Sequence, residues 1–283
     1  MKLPLSRLLA LLVLVAAAAL PVVVVRAAEA IPVPDAIKKA GVIRFAADFV
    51  QPPGAYFDEN HKMTGADFEL CNGIAERLGV KASWTNLSFG GLIPALQANR
   101  FDAICSSMFI RPDRSKVVGF VTYRQTGQGA LVLKGNPHHV HGLSDYCGLN
   151  AVEVLGSVYE KAVREQSQHC VSEGKPAVNI KTFDTTADAV TQVIDQRADV
   201  WAGDEPFVVY YAHKAANAVE EAYGGLNPTP DGIGVAPGAD DLGKAIAAAL
   251  TAMHADGTYQ RIMAKYGLEH GEVTSFGYKP AGS

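Results

Sequence analysis

The sequence predicts an α/β protein built on parallel sheets. Short apolar runs of strand length alternate with amphipathic helical stretches from about Pro34 to Tyr266, which is the pattern of strands joined by helical crossovers. Gly and Pro fall between these runs rather than inside them. Hydrophobic residues make up 48% and charged residues 19% of the 283 residues, a balance that supports a globular body with a sizeable core.

Residues 1–30 stand apart. Lys2 and Arg7 open the chain, Leu8 to Val25 is apolar and uncharged, and Ala27, Ala28 and Ala30 follow. Positive, apolar and small segments in that order read as a secretory signal peptide, with Ala28-Glu29-Ala30 as one fit to the cleavage pattern. No second long apolar run follows, so residues 31–283 are expected to form an exported, soluble body. An oxidising compartment then permits disulfides.

The elements follow in order. Pro34 to Ala40 reads as a short helix stopped by Gly41, and Val42 to Ala47 as a strand. A turn at Pro52-Pro53-Gly54 precedes a polar hairpin-like stretch, Asp58 to Lys62. Phe68, Cys71, Ile74, Ala75 and Leu78 fall at helical spacing, ended by Gly79. Lys81 to Leu87 is strand-like, Gly91 to Asn99 a helix and Phe101 to Ser106 a short apolar strand. Leu131 to Leu133 and Ala151 to Val154 read as strands, and Val158 to Gln166 as a helix. Thr186 to Arg197 is a helix, Val200 to Gly203 a strand and Pro206 to Ala215 a helix. Asp240 to Asp256 carries Leu242, Ile246, Leu250 and Met253 on one helical face, and a last helix covers Tyr259 to Tyr266. The turn-rich Tyr123 to Gly129 and the Gly/Pro-rich Gly224 to Pro230 read as domain boundaries.

Several function classes find no support. Lys+Arg is 25 against Asp+Glu 29, a net charge of −4, so no basic excess exists to hold nucleic acid. No nucleophile elbow, zinc-protease helix motif, phosphate-cradling loop or C-x-x-C pair occurs. His138, His139 and His141 sit in a loop framed by Pro137 and Gly142, and no metal site is expected there. No cofactor is expected.

Six segments occur in a fixed order. They are Gly41-Val42-Ile43-Arg44-Phe45, Thr64 to Leu70, Leu92-Ile93-Pro94-Ala95-Leu96-Gln97 with Arg100 to Ile104, Ile110 to Arg114, Arg197 to Pro206, and His254 to Gly267. Together they resemble the family 3 extracellular solute-binding proteins, the exported amino-acid-binding components of ABC transporters. The resemblance covers essentially all of residues 31–283. It implies a two-lobe Venus-flytrap fold, each lobe a sheet flanked by helices, with two hinge crossings. Lobe 1 is expected at 31–123 plus 231–283, lobe 2 at 124–225 and the second crossing at 226–230. It further implies a periplasmic monomer that holds an amino acid and docks on a membrane permease.

The resemblance also places a ligand site, and each residue type suits its role. Arg114 is expected to grip the α-carboxylate, because a guanidinium fork matches a carboxylate bidentately. Asp204 ends an apolar strand, where ligands bind in open α/β sheets, and is expected to pair with the α-ammonium. An alternative for Asp204 is a helix cap ahead of Pro206. Ser107 and Phe109 are expected to offer backbone groups to the ligand. Ser157 is expected to combine a hydroxyl with free helix N–H groups. Phe89 is expected to flank the ligand side chain. Gln51, at a position often aromatic in the family, implies a roomier or more polar pocket. Arg111 adds charge near the site or on its rim.

A subgroup of the family pairs cysteines at the positions of Cys147 and Cys170, so a disulfide is expected there. Cys71 and Cys105, on an apolar helix face and in an apolar strand, read as two buried thiols. Two other readings remain open. One is a periplasmic dehydratase of the same fold acting on prephenate or arogenate, with Glu153 or Glu205 as its acid. The other is a solute-binding sensor that docks on a separate partner.

Overall fold

A computed structural model describes residues 31–283; the expected signal peptide lies outside the described residues. Its first third follows the apolar periodicity closely. Helix α1 (Asp35–Ala40) ends at Gly41, whose φ of 65° is the left-handed geometry a glycine cap adopts without strain. Strands β1 (Val42–Ala47), β2 (Val50–Gln51), β3 (Ala55–Phe57) and β4 (Met63–Thr64) follow, the last two forming the hairpin around Asp58 to Lys62. Helix α2 (Ala66–Arg77) buries Leu70, Cys71, Ile74 and Ala75, the face its spacing predicts. Then come β5 (Lys81–Asn86), α3 (Leu92–Gln97), the wholly buried β6 (Ala103–Phe109) and the one-turn α4 (Pro112–Ser115).

The rest of the chain runs β7 (Gly119–Leu133), β8 (Asn150–Val154), α5 (Val158–Ser172), β9 (Asn179–Phe183), α6 (Thr186–Ile194), β10 (Val200–Asp204), α7 (Glu205–Lys214), β11 (Val219–Val235), α8 (Asp240–Ala255), α9 (Thr258–Lys265) and β12 (Tyr278–Lys279). Strands β7 and β11 are far longer than the spacing suggests. The stretches Tyr123 to Gly129 and Gly224 to Pro230, read as turn-rich, lie inside them and face each other, with Thr229 opposite Thr126 and Pro230 opposite Gln125. Shifts of register absorb the glycines and prolines, and polar side chains on β7 hide its alternation from sequence. Glycine is required where the two strands touch most closely: a Cβ on Gly127 would lie 2.6 Å from Gly225 Cα.

The β7–β11 ribbon carries both halves of the fold. At one end β6 pairs with β11 and continues through β1 to β5; at the other, β10 pairs with β7 and continues through β8 to β9. Within each half the pairs β1–β5, β1–β6, β8–β10 and β8–β9 are parallel. Two half-sheets on one ribbon give the two-lobe α/β fold that the motif order implied. One core, around Phe45, Leu70, Ile246 and Met253, belongs to the first half, and another, around Val132, Val163 and Val200, to the second. A third joins Phe89, Leu92 and Phe120 to Val152, Trp201 and Phe207 from the other half. The strands of one half run opposite to those of the other, so the C-terminal ends of β1 and β6 face those of β8 and β10 across the middle of the ribbon, the place where such sheets receive ligands.

Two disulfides staple the fold. Cys147–Cys170 forms as the family subgroup implied. Cys71 and Cys105, read as separate buried thiols, are bonded instead and tie α2 to β6. The correction has a simple cause: α2 packs its apolar face on β6, and this packing brings positions 34 residues apart to a Cα separation of 6.7 Å. Among the described residues no helix is long and apolar enough to cross a membrane.

Candidate functional site

The ends of β2, β6, β8 and β10 and the short helical turn before α3 enclose one narrow cleft with a volume of about 40 Å³. All seven residues assigned to a ligand from sequence line it: Gln51, Phe89, Ser107, Phe109, Arg114, Ser157 and Asp204.

Arg114 lies on α4, started by Pro112 at the first helical position. Its guanidinium is buried, with Nη1 donating to the Phe109 carbonyl at 3.2 Å and Nη2 to the Gly156 carbonyl at 3.2 Å. The Phe89 ring centroid is 5.3 Å from its Cζ. Burial lowers its pKa from the usual value, offset in part by Asp113. No carboxylate of the described residues pairs with it, and the two carbonyls take only two of its five N–H groups, so the others are left for an incoming carboxylate.

Asp204 occupies the N-cap position of α7 but makes no capping bond. Its Oδ1 instead accepts from the Tyr159 hydroxyl at 2.7 Å, while Oδ2, also buried, has no partner. Burial, with Asp231 nearby, pushes its pKa up to about 8. A buried acceptor without a donor is costly, so this oxygen calls for an N–H from a ligand.

The remaining residues are fixed by local chemistry. Ser157 caps α5, accepting from the Glu160 amide at 3.0 Å. Phe109 sits 6.1 Å from the Tyr159 ring. Gln51 donates to Thr186 Oγ1 at 3.3 Å, and Tyr211 donates to the Val50 carbonyl at 3.3 Å, so two hydrogen bonds join the halves beside the cleft.

Ser107 is held in an unusual way. Its φ is 44°, left-handed for a residue with a Cβ, and its hydroxyl points away from ligand duty. That hydroxyl donates to Asp67 Oδ2 at 2.7 Å and accepts from Arg124 Nη2 at 3.1 Å. Only its backbone is left for a ligand, which is the use foreseen for it. Arg111 pairs with Asp113 at 3.3 Å and borders a neighbouring charged groove rather than the cleft, so it is a rim residue.

Sequence reasoning missed Tyr159, Thr186, Trp201 and Phe207, which also line the cleft, and the buried set Asp67, Arg124 and Asp231 behind it. The one hint for Tyr159 was its place in the first turn after Ser157. The His138 to His141 run gathers no site: His138 lies 3.3 Å from Asp199, and among the described residues no three His, Cys, Asp or Glu come together as metal ligands.

The family model for bacterial extracellular solute-binding proteins, family 3, matches residues 43–269. The chain belongs to this family. It is 34% identical over 202 residues to a probable amino-acid ABC transporter periplasmic-binding protein of Sinorhizobium fredii, covering 70% of this chain and 65% of that one. This family member therefore spans just under two thirds of that relative. Among solved structures it is similar to ancestral arginine-binding proteins bound to arginine and to glutamine, each at TM-score 0.75 and 32% identity, covering 80% and 81% of this chain and 98% and 99% of those. It is also similar to an ancestral amino acid-binding protein described as a precursor of cyclohexadienyl dehydratase, at TM-score 0.71 and 31% identity, covering 82% of this chain and 98% of that one.

Proposed function

We propose that this family member is an exported, periplasmic protein that captures an α-amino acid between its two lobes and delivers it to a membrane ABC permease. One observation carries the reading: an unpaired buried guanidinium, Arg114, and an unpartnered carboxylate oxygen, Asp204 Oδ2, line the same cleft. A zwitterion matches both, its carboxylate on the fork and its ammonium on Asp204. Arg114 comes from the β6 side and Asp204 from the β10 side, so one ligand bridges the lobes and favours their closed arrangement. The lobes are 31–123 plus 231–283 and 124–225, and the ribbon between them is the hinge. The protein acts as a monomer without a cofactor.

Binding rather than catalysis is supported by the lining of the cleft. A dehydratase needs an acid at the reacting atoms. Glu205 borders a different groove, and Glu153 is buried behind the cleft with its Oε1 toward the Ala202 amide at 3.4 Å. Neither lines the cleft, and the one carboxyl that does, Asp204, is the group left to meet an ammonium.

The test is calorimetry on protein unfolded, stripped of ligand and refolded, titrated with the common amino acids and with prephenate. Saturable binding of an α-amino acid, abolished in Arg114→Ala, is expected. Turnover of prephenate, or no binding of any α-amino acid, overturns the reading.

A further inference from the structure

Among the described residues seven buried side-chain atoms have no hydrogen-bond partner, and two of these belong to residues that line the cleft: Asp204 Oδ2 and Trp201 Nε1. The two have opposite needs. Asp204 offers an acceptor. An indole N–H is a donor only. The first is met by the ammonium of an amino acid; the second is left over, on a residue whose neighbours in the lining are mostly apolar.

Trp201 cannot turn to solvent for a partner. It lies on β10, is 2% exposed, and meets the Tyr211 ring edge-on at 6.2 Å. Its six-membered ring covers Gly203, where an added Cβ would fall 2.4 Å from Cη2. Gly203 therefore makes room for the indole on the strand that ends at Asp204. The neighbouring walls are Phe89, Val154 and Phe207, and no lysine, histidine or second arginine lines the cleft. Gln51 and Thr186 are polar members of the lining: Gln51 Nε2 donates to Thr186 Oγ1, and the Gln51 carboxamide oxygen remains an acceptor.

Resting on the reading of the cleft as an α-amino-acid site, we infer that its side-chain end selects a neutral side chain tipped by a carbonyl oxygen, a carboxamide or ureido group, which accepts from the Trp201 N–H. The same tip carries N–H groups that Gln51 accepts. An ammonium or guanidinium tip brings donors alone and leaves the indole unmet. A carboxylate tip meets the indole but finds no cation at that end. An aliphatic tip leaves both polar groups bare. A site with a buried donor discriminates strongly against ligands that cannot accept from it.

The experiment uses stripped, refolded protein and calorimetry with L-glutamine, L-citrulline, L-arginine, L-lysine, L-glutamate and L-leucine. Glutamine or citrulline is expected to bind at least about tenfold tighter than the other four. Trp201→Phe, which keeps a ring and removes the N–H, is expected to weaken that ligand about tenfold and to erase the preference. In the wild type, the indole proton resonance that disappears in Trp201→Phe is expected to move downfield on binding; this readout holds even if the variant folds poorly. Arginine or lysine as the tightest ligand overturns the inference and leaves the amino-acid site standing. So does an unmoved indole resonance. Failure of every amino acid to bind overturns both.

Discussion

Arg124 and Asp231, 107 positions apart, form an ion pair shut off from solvent, with Nη2 and Nε donating to Asp231 Oδ2 at 2.6 and 2.9 Å. The pair crosses the β7–β11 ribbon at its joint with β6, since Asp231 stands opposite both Arg124 and Phe109. Through Nη2, Arg124 also holds the Ser107 hydroxyl, and Asp67 holds it from the other side. The β7–β11 ribbon and the cleft therefore share one hydrogen-bonded network, and the strained Ser107 backbone is held by it. Asp67 is fixed in turn by the Tyr123 hydroxyl at 2.7 Å.

Breaking that pair from one side should be severe. Asp231→Ala leaves a buried guanidinium without its counter-charge and is expected to cost about 3–5 kcal/mol in urea unfolding. Replacing both partners, Arg124→Met with Asp231→Leu, is expected to cost much less, because no charge is then stranded. Equal losses in the single and double variants would remove the pair as the cause.

Ligand affinity should depend on pH through Asp204. Free, its carboxyl titrates at about 8, raised by burial and by Asp231. Bound to an ammonium it must be ionised. Below about 8, binding therefore releases a proton, and affinity rises with pH by at most about tenfold per unit. It levels off above that, until the ligand ammonium itself loses its proton. Calorimetry between pH 6 and 8, in buffers of different ionisation heat, measures both affinity and proton release. A flat profile without proton release would exclude Asp204 as the ammonium partner.

Glu153 should tax the fold as pH rises. Its carboxyl is buried, Oε2 has no partner, and burial pushes its pKa well above the ordinary range. The unfolded chain loses this proton near the ordinary value of about 4.3, and the folded chain keeps it. Between those limits the folded state binds more protons, so stability falls with rising pH. Glu153→Gln keeps the shape without the charge. Its melting temperature is expected to exceed that of the wild type at pH 8 and to approach it at pH 4. An offset independent of pH would contradict this.

The unforeseen disulfide should matter as much as the foreseen one. Cys71–Cys105 closes a longer loop, 34 residues against 23 for Cys147–Cys170, and each is expected to contribute about 3–4 kcal/mol on the chain-entropy account. Cys71→Ser with Cys105→Ser is expected to lower the urea midpoint at least as far as the corresponding change at Cys147 and Cys170. Retention of the midpoint after the first pair is replaced would show that the bond does not stabilise the fold.

Much of the fold and most of the cleft were legible in the chain. Helical spacing placed Cys71, Ile74, Ile246 and Met253 in the core, because burial on a helix repeats every three or four residues. Strands β1, β8 and β10 were found as apolar runs within a residue or two of their ends. Arg114 and Asp204 were placed by motifs that travel as short segments, and local order suffices to carry those.

What sequence could not supply was contact between distant segments. Polar residues on β7 and Gly and Pro on β11 read as turns, since these strands satisfy their backbones by pairing with segments distant in the chain. The Cys71–Cys105 bond, the Arg124–Asp231 pair and the Tyr159 hydroxyl on Asp204 depend on three-dimensional proximity that no periodicity encodes. The sequence by itself determined the alternation of elements, the family and two charged residues, Arg114 and Asp204, that line the cleft. The tertiary structure alone decided which buried atoms are left without partners, because that depends on what packs around them, and two of those atoms belong to residues of the cleft.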